Sequence, residues 1–528
     1  VRRWNDFTQV VNEKEIQKEL IPELMQMFAV SDFAADTCCH YSNILFDLIE
    51  TGDLERSYTR QDYKNKLSSM HTYTQDEDLM VFLRKYRRRE MLRIAWRDLT
   101  QVAELSETLA DLTQMADCLL TEVLEILYNR QAEILGYPAS ISGKRQKLYI
   151  IAAGKLGGLE LNFSSDVDLI FVYPEDWLTE DVEEPISNQE FFTRLAQRFI
   201  KVLNTPTADG FVYRVDMRLR PYGEGGPLVM SLPALQSYFH EQARDWERYA
   251  LVKARVLAPP DQSVRTLENM MNQFVYRRYV DFGVIEALRQ MKQKIQQEVR
   301  SKRLQDDIKR GPGGIRQVEF VVQAFQLMRG GLKPFLQQRH LLTALNYLKD
   351  KHALGDAVVE LGQAYQFLRR SEHCLQMVSD SQTHALPNEP WSQLRLAYAM
   401  GFNNWEDFLT QLNIYREYVQ NYFERFLAKK QYSQIENLND EWFQQLLNSW
   451  KLKFADSAMA YQLTQLGFPS GEETRVILSE FADSYRCTNL SALGRERLNQ
   501  LMPILLQLVV KTKNPMETLN RIILLLEA

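Results

Sequence analysis

Two closely spaced carboxylates, Asp166 and Asp168, stand at the start of an apolar run, and a glycine turn precedes them. The runs KLYIIAAG (147–154) and VDLIFVY (167–173) predict two buried strands. Side chains two positions apart on an extended chain point to the same face, so the two carboxylates converge. Converging hard oxygen donors suit Mg²⁺ or Mn²⁺. The pattern therefore indicates metal-assisted phosphoryl or nucleotidyl transfer.

The residues between the two strands favour a ligand site. Gly157 and Gly158 allow the backbone to approach a ligand closely, and Ser164 and Ser165 supply hydroxyl donors. An Asp-x-Asp pair alone is more often a solvated strand edge or a loop cap, but the glycine turn, the serines and the flanking strands together favour a metal site. Neither G-x-G-x-x-G nor G-K-[ST] follows the first strand, which argues against a Rossmann or P-loop site.

A second informative stretch is GFVYRVDMRLRP, residues 210–221. Its alternation of apolar and charged residues predicts a half-buried strand with one polar face. Asp216 on that face has two explanations. In the first, it only neutralises Arg214 and Arg218 on the surface. In the second, it is the third carboxylate of a metal cluster with the pair described above, and the two arginines bind phosphate oxygens.

The composition excludes several classes of protein. The 528 residues carry a formal net charge of −6, so no global basic character favours nucleic acid as a partner. No uninterrupted apolar run has the roughly 18 residues of a membrane span. The five cysteines are scattered and include no C-x-x-C pair, which indicates a reducing compartment and a cytoplasmic location. The start at Val1 and the end within an apolar helical pattern predict a piece of a longer protein.

Helical periodicity dominates the rest of the chain. It predicts helices through the first 129 residues, over 190–204, over 240–260 and from about 267 onward. The basic cluster at 84–89 is predicted to be a solvated helix face, and the adjacent Cys38, Cys39 and His40 are not expected to bind a metal. The glycine turn at 311–314 opens a predicted helix at Ile315. It has two equally favoured readings, an anion site and a tight connection between packed helices.

Four stretches together carry a family resemblance: GKLGGLELNFSSDVDLIF, GFVYRVDMRLRPYGEGGPLV, RDWERYALVKARV and GPGGIRQVEFVVQ, in that order between residues 154 and 323. They resemble the bifunctional glutamine synthetase adenylyltransferase/adenylyl-removing enzymes. The resemblance implies an α+β, mostly helical fold with a polymerase-β-like nucleotidyltransferase domain. The implied domains are an N-terminal helical region (1–125), the catalytic domain (126–295), a C-terminal helical bundle (296–430) and a helical linker (431–528).

The resemblance also implies roles for individual residues. The metal-binding carboxylates fall on Asp166, Asp168 and Asp216, and the glycine and serine motifs fall on Gly157, Gly158, Ser164 and Ser165. The opening helical region and the wording VYRRYVDFGVIEALRQMK (275–292) resemble the half of the family that removes AMP. That half is expected to use Mg²⁺ or Mn²⁺ and phosphate to release ADP from an adenylylated tyrosine of glutamine synthetase, under control of the PII signal protein and glutamine.

Two other functions stay open at this point. The same carboxylates could run the reaction forward and attach AMP from ATP to glutamine synthetase. Alternatively, the chain could be a catalytically idle module that binds PII, although the intact carboxylates argue against idleness.

Overall fold

The computed structural model describes residues 2–11, 17–277, 282–302, 304–349, 354–355, 357–427, 458–484, 488–490 and 492–527. The chain divides into two compact units, residues 1–427 and 428–528. Most described residues are helical, and the strands are few and short. The coarse expectation of an α+β, mostly helical protein is therefore confirmed. None of the described helices combines the length and the apolar character that a membrane crossing requires.

Seven helices open the first unit and confirm the helical prediction for this region. They are α1 (Arg2–Val10), α2 (Ile21–Val30), α3 (Asp32–His40), α4 (Ser42–Glu50), α5 (Arg60–Leu67), α6 (Asp76–Leu99) and α7 (Leu105–Leu135). The prediction of a solvated basic face at 84–89 is wrong, because Arg84 and Arg87 are 1% and 6% exposed. Arg84 donates to backbone carbonyls such as Gly210 O at 2.9 Å, which satisfies its buried guanidinium.

A five-stranded sheet forms the centre of the first unit. Its strands run in the order β5 (Val215–Asp216), β3 (Val167–Tyr173), β2 (Tyr149–Ala152) and β7 (Arg255–Leu257), and β6 (Val229–Ser231) also pairs with β3. β2 is antiparallel to β3 and β7, whereas β5 and β6 run parallel to β3. The residues of β2 and most of β3 are buried, which explains why both strands are apolar apart from Asp168. The two strands predicted at 147–154 and 167–173 are thus confirmed.

Short elements connect and cover this sheet. They are β1 (Tyr137–Pro138), α8 (Gly154–Gly157), β4 (Thr179–Glu180), α9 (Asn188–Asn204), α10 (Leu232–Glu241), α11 (Asp245–Ala250) and α12 (Gln262–Val275). The helix α9 confirms the prediction over 190–204, and it begins where the Ser187 side chain accepts a hydrogen bond from the Glu190 N–H. Phe199 of α9 packs edge-on against Phe171 of β3, with ring centroids 5.8 Å apart.

Two predictions around this sheet need correction. The strand predicted over 210–221 is reduced to the two residues of β5, because Val212 and Tyr213 are both buried and the alternation is lost. The single helix predicted over 240–260 is also wrong. It divides into the end of α10, the helix α11 and the strand β7, because Arg255–Leu257 pairs with β2 at the edge of the sheet.

Further helices complete the first unit: α13 (Phe282–Ser301), α14 (Ile315–Arg329), α15 (Leu341–Tyr347), α16 (Ala357–Met377), α17 (Pro390–Ala399) and α18 (Trp405–Arg425). The helix predicted to open at Ile315 is confirmed. At the preceding turn, a Cβ on Gly313 would lie 2.0 Å from the carbonyl oxygen of Arg416 in α18. This contact supports the reading of the turn as a tight connection between packed helices.

The second unit contains four described helices: α19 (Ala458–Leu466), α20 (Gly471–Asp483), α21 (Ala492–Val510) and α22 (Pro515–Glu527). They enclose a small apolar core that includes Leu463, Phe481 and Leu506. The first part of the predicted linker, 431–457, and Cys487 lie outside the described residues.

Candidate active site

Asp168 and Asp216 lie side by side on parallel neighbouring strands. Asp168 of β3 is paired in register with Asp216 of β5, and Val167 is paired with Val215. Asp166 precedes Asp168 by two residues. The structure therefore brings the three predicted carboxylates to one end of the sheet. Two of them, Asp166 and Asp216, line an open cleft of about 390 Å³ together with Arg214 and Arg218.

The crowding of these carboxylates changes their acidity. Burial, followed by the charges of Asp166 and Asp216, raises the pKa of Asp168 to about 7. The pKa of Asp216 is lowered instead, chiefly by its hydrogen bond from the Arg218 side chain. The three carboxylates together form a set of oxygen donors whose negative charges repel each other. A bound divalent cation would relieve this repulsion and favour the charged form of Asp168.

Asp216 and Asp166 each accept hydrogen bonds from a neighbouring side chain. The Nε of Arg218 donates to Oδ1 and Oδ2 of Asp216 at 3.1 and 2.9 Å. The Nε2 of Gln382 donates to Oδ1 of Asp166 at 3.0 Å. Among the described residues, no three His, Cys, Asp or Glu side chains already close around a single point as metal ligands. The pairing of Asp216 with Arg218 agrees with the first explanation given for this aspartate, while the pairing with Asp168 in register agrees with the second.

Gly154 is the glycine that approaches the carboxylates most closely. Its φ of +56° lies in the left-handed region, and a Cβ at this position would lie 2.0 Å from Oδ2 of Asp168. The position therefore requires glycine both for its backbone conformation and for the space that the Asp168 carboxylate occupies.

Gly157 and Gly158 are buried against protein atoms. A Cβ on Gly157 would lie 2.6 Å from the carbonyl oxygens of Ala152 and Lys253, and one on Gly158 would lie 2.9 Å from the side chain of Lys253. In this structure the two glycines allow the turn after β2 to pack against the segment before β7.

Arg214 holds the serine loop that leads into β3. Its Nη2 donates to the carbonyl and hydroxyl oxygens of Ser164 at 2.7 and 2.9 Å, and its guanidinium lies over the ring of Phe211. Ser164 and Ser165 are buried. Arg218, in contrast, projects into solvent, with 72% of its side chain exposed. The two arginines predicted to bind phosphate thus differ in their contacts. Arg214 is hydrogen-bonded to the serine loop, whereas the Arg218 side chain is held by the carboxylate of Asp216.

Helix α16 anchors the loop between α8 and β3 from below. The buried carboxylate of Glu372 accepts from Lys155 Nζ at 2.7 Å and from Asn162 Nδ2 at 2.6 Å. One turn further along α16, Gln376 Oε1 accepts from the backbone N–H of Ser164 at 3.0 Å. Burial acts to raise the pKa of Glu372, but Lys155 first, and then His384, whose Nδ1 lies 3.0 Å from Oε1, hold that pKa well below its usual range.

A second set of buried polar contacts fixes Glu160 in the same loop. Its Oε2 accepts from Tyr365 at 2.6 Å and lies 3.2 Å from Lys253 Nζ, and its backbone oxygen accepts from Arg369. Arg369 also donates to Asn162 Oδ1 at 2.6 Å. Despite burial, Lys253 and Arg369 lower the pKa of Glu160 to about 2. The loop that precedes the carboxylates is thus held by buried, paired charges on α16.

The loop that follows α16 reaches the site through one contact with Asp166, which was not predicted from the sequence. Asp380 accepts from both terminal nitrogens of buried Arg87 at 2.7 and 3.0 Å. Gln382 then reaches Asp166, and His384 Nδ1 lies 3.0 Å from Glu372 Oε1. Gln382 is 216 positions from Asp166 along the chain, so no local pattern could reveal the contact.

Comparison with known proteins shows which family the chain is related to. A relative from Nitrosococcus oceani, named bifunctional glutamine synthetase adenylyltransferase/adenylyl-removing enzyme, is 43% identical over 528 residues, which is 99% of this chain and 54% of the relative. The sequence profile of the family described as glutamate-ammonia ligase adenylyltransferase matches residues 21–271. The chain belongs to this adenylyltransferase family.

Other relatives carry the same name. That of Pseudomonas aeruginosa is 42% identical over 97% of this chain and 52% of its own length, and that of Thioalkalivibrio sulfidiphilus is 41% identical over the whole chain and 55% of its own length. This member of the adenylyltransferase family therefore spans about half the length of the curated relatives that it matches.

A second profile, described as GlnD PII-uridylyltransferase, matches residues 289–427. The adenylyltransferase profile contains the three carboxylates and their loop, whereas α16 and Gln382 belong to the second profile. The candidate site of this family member is accordingly built by both matched segments, within one compact unit.

Proposed function

We propose that this chain removes AMP from an adenylylated tyrosine of glutamine synthetase by phosphorolysis. The observation that carries the proposal is the pairing in register of Asp168 with Asp216, beside Asp166, at an open cleft. In the reaction, an oxygen of inorganic phosphate attacks the phosphorus of the AMP group. The bond from phosphorus to the tyrosine oxygen breaks, and ADP and tyrosine are the products.

The three carboxylates would hold Mg²⁺ or Mn²⁺. The support for this assignment is the donor set itself, in which the charge of Asp168 is suppressed by burial and by two neighbouring acids. When bound, the ion would neutralise phosphate oxygens and the departing phenolate. Since phosphate is already an anion and the phenolate needs only charge stabilisation, the proposal assigns no general base.

The neighbouring side chains have distinct tasks in this proposal. Arg218 is exposed and held only by Asp216. Its guanidinium would therefore leave this carboxylate and bind the attacking phosphate. Arg214 is engaged with Ser164 and would keep the serine loop in place beneath the substrate. The buried pairs of Glu372 and Glu160 would fix the same loop, so that the carboxylates are preorganised.

The fold expected for this chemistry is the polymerase-β-like nucleotidyltransferase domain. Its support is a small, centrally placed sheet with the carboxylates on two adjacent strands, together with membership of the adenylyltransferase family. Gly157 and Gly158 would belong to the substrate site through the turn that they shape rather than through open contact surface, since both are buried.

The direction of the reaction rests on resemblance rather than on geometry. The names of the relatives include both attachment and removal of AMP, and this chain spans about half of their length. The opening helical region resembles the half that removes AMP. The second candidate is forward transfer of AMP from ATP to glutamine synthetase, because the same carboxylates would serve both directions.

Regulation by the PII protein is part of the proposal, with the match of residues 289–427 to the PII-uridylyltransferase profile as its support. Glutamine as an effector and a cytoplasmic location follow from the family resemblance and the scattered cysteines.

Two incubations distinguish the candidates. The chain is mixed with adenylylated glutamine synthetase, phosphate and Mg²⁺, and separately with unmodified glutamine synthetase, ATP and Mg²⁺. Release of ADP in the first mixture alone supports removal. Incorporation of AMP in the second mixture alone supports attachment, and no reaction in either, with intact folding, supports a binding module.

A further inference from the structure

A cavity of about 890 Å³ lies between the start of α7, one face of α16 and the helix α18. It shares no lining residue with the 390 Å³ cleft of the carboxylates. Its volume is within the range of roughly 300–1,000 Å³ that small-molecule sites occupy. The proposed reaction makes no use of it.

The wall of this cavity combines polar amides with aromatic rings. Gln363, Gln366 and Gln411 line it together with Phe367 and Tyr415. Amide groups that can donate and accept, beside flat apolar surface, are typical of sites that orient a small polar molecule.

Arg370 is the cation of this wall that lacks a counterion. The residue is half-buried, its Nε is shielded from solvent without a hydrogen bond, and no described residue forms an ion pair with it. A guanidinium offers five N–H donors, arranged to meet a carboxylate through two of them at once. The two acids on the wall do not fill this role, because Glu160 is paired within the buried network and Glu104 lies exposed at the rim.

The floor of the cavity is the network that holds the catalytic loop. Tyr365 and Arg369 line the cavity, and both donate to Glu160. Arg369 also donates to Asn162, two residues before Ser164. Its Nε and Nη1 are buried without a hydrogen bond, and Nη1 lies 3.7 Å from Glu372 Oε2.

We propose that this cavity binds a small molecule through a carboxylate on Arg370, and that binding further stabilises the ordered conformation of the loop 160–166. The path is short, because Arg370 and Arg369 are consecutive residues of α16 and Arg369 holds the loop directly. Any ligand that binds more tightly when the loop is ordered must order the loop when it binds, by thermodynamic reciprocity. The site would thus influence the carboxylates from a distance, without contact to the substrate.

Calorimetry with the whole chain tests the binding step. The probes are acetate and succinate, with the uncharged diamide succinamide as the control ligand. Succinate is expected to bind with a dissociation constant on the order of millimolar, as suits a fragment-sized ligand. Arg370→Ala should weaken succinate at least ~10-fold, and Arg370→Lys should weaken it less, because lysine keeps the charge but loses the planar fork. Arg265→Ala, at an exposed position of α12, should have no effect.

Hydrogen exchange tests the coupling. Succinate should slow exchange of the backbone amides of residues 160–166 in the wild type and in Arg265→Ala, but not in Arg370→Ala, whose thermal unfolding is measured to verify that it folds. The proposal is overturned if neither acetate nor succinate binds at about 50 mM, well above the expected constant. It is equally overturned if Arg370→Ala binds succinate as the wild type does, or if exchange at 160–166 is unchanged at saturation.

Discussion

Asp168 and Asp216 are directly opposite each other on the parallel strands β3 and β5. The two aspartates come from separate segments of the chain, and only the sheet brings them together. Burial raises the pKa of Asp168 most, and the charges of Asp166 and Asp216 raise it further. This arrangement is the physical basis of the proposed metal site.

Metal binding should depend on pH through Asp168. With a pKa of about 7 in the metal-free chain, this carboxyl is mostly protonated below pH 7, and a cation must displace the proton. The apparent dissociation constant of Mn²⁺ should therefore rise by up to ~10-fold for each pH unit below 7 and level off above it. Electron paramagnetic resonance of free Mn²⁺ measures this dependence, and a flat profile contradicts it.

The raised pKa of Asp168 also predicts how the unfolding free energy changes with pH. A carboxyl whose pKa is raised on folding stabilises the protein at low pH, and that contribution is lost as the pH rises through about 7. Asp168→Asn mimics the protonated form at every pH. Without metal, its unfolding free energy should match that of the wild type near pH 4 and exceed it near pH 8. Chemical denaturation at both pH values gives the comparison, and a difference independent of pH would be inconsistent with it.

Gly154→Ala should damage the site beyond its backbone strain. Gly143 is the matched control, because its φ of +76° is also left-handed but a Cβ there would meet no atom within 4 Å. Each alanine should cost about 1–2 kcal/mol for its left-handed conformation. Only Gly154→Ala should also displace Asp168 and weaken Mn²⁺ binding. Equal Mn²⁺ affinity in the two variants would contradict the close contact of Gly154 with Asp168.

Glu372→Gln should destabilise the first unit strongly. The substitution leaves Lys155 buried without its partner, a change that typically costs about 3–5 kcal/mol. Because the amide offers one acceptor oxygen where the carboxylate offered two, either Lys155 or Asn162 also loses a hydrogen bond, and the loop before the carboxylates should become more mobile. Thermal unfolding measures the first effect, with Glu133→Gln at an exposed position of α7 as the control. If both variants unfold at the temperature of the wild type, the buried pair does not hold the loop.

Gln382→Ala should leave the Asp166 carboxylate less fixed in position, because Gln382 donates a hydrogen bond to it. The protein should remain folded, because Gln382 is exposed. Loss of such an outer partner typically weakens metal binding by about 10–100-fold. Gln393→Ala removes a comparable side-chain hydrogen bond, to Pro387, away from the site and should leave Mn²⁺ affinity unchanged. Equal affinity in Gln382→Ala and the wild type would show that the glutamine does not position Asp166.

The sequence predicts the local part of this architecture well. The strand β2 is a continuous apolar run, β3 is apolar apart from Asp168, and the helices follow a clear periodicity, so each is readable from neighbouring residues. The strand predicted over 210–221 fails because Val212 and Tyr213 are both buried, and tertiary packing overrides the alternation. The prediction that Arg84 and Arg87 are solvated fails for a similar reason, since the partners of these buried side chains lie in distant segments.

The contribution of α16 could not be predicted from local patterns. Glu372 and Gln382 reach the site only because the helical region folds back onto the loop before β3. A buried glutamate in a helix and an exposed glutamine in a loop have no distinctive spacing. Their roles become apparent only from the contacts.

Release of ADP from adenylylated glutamine synthetase tests the central claim most directly. The wild type, Asp168→Asn and Asp216→Asn are incubated with this substrate, phosphate and Mg²⁺, while ADP is quantified by chromatography and AMP on glutamine synthetase by intact-mass spectrometry. The wild type should release one ADP for each AMP lost, and both variants should be at least ~100-fold slower while remaining folded, because each lacks one carboxylate of the proposed metal site. Full activity in either variant, or no ADP from a folded wild type, would contradict the account.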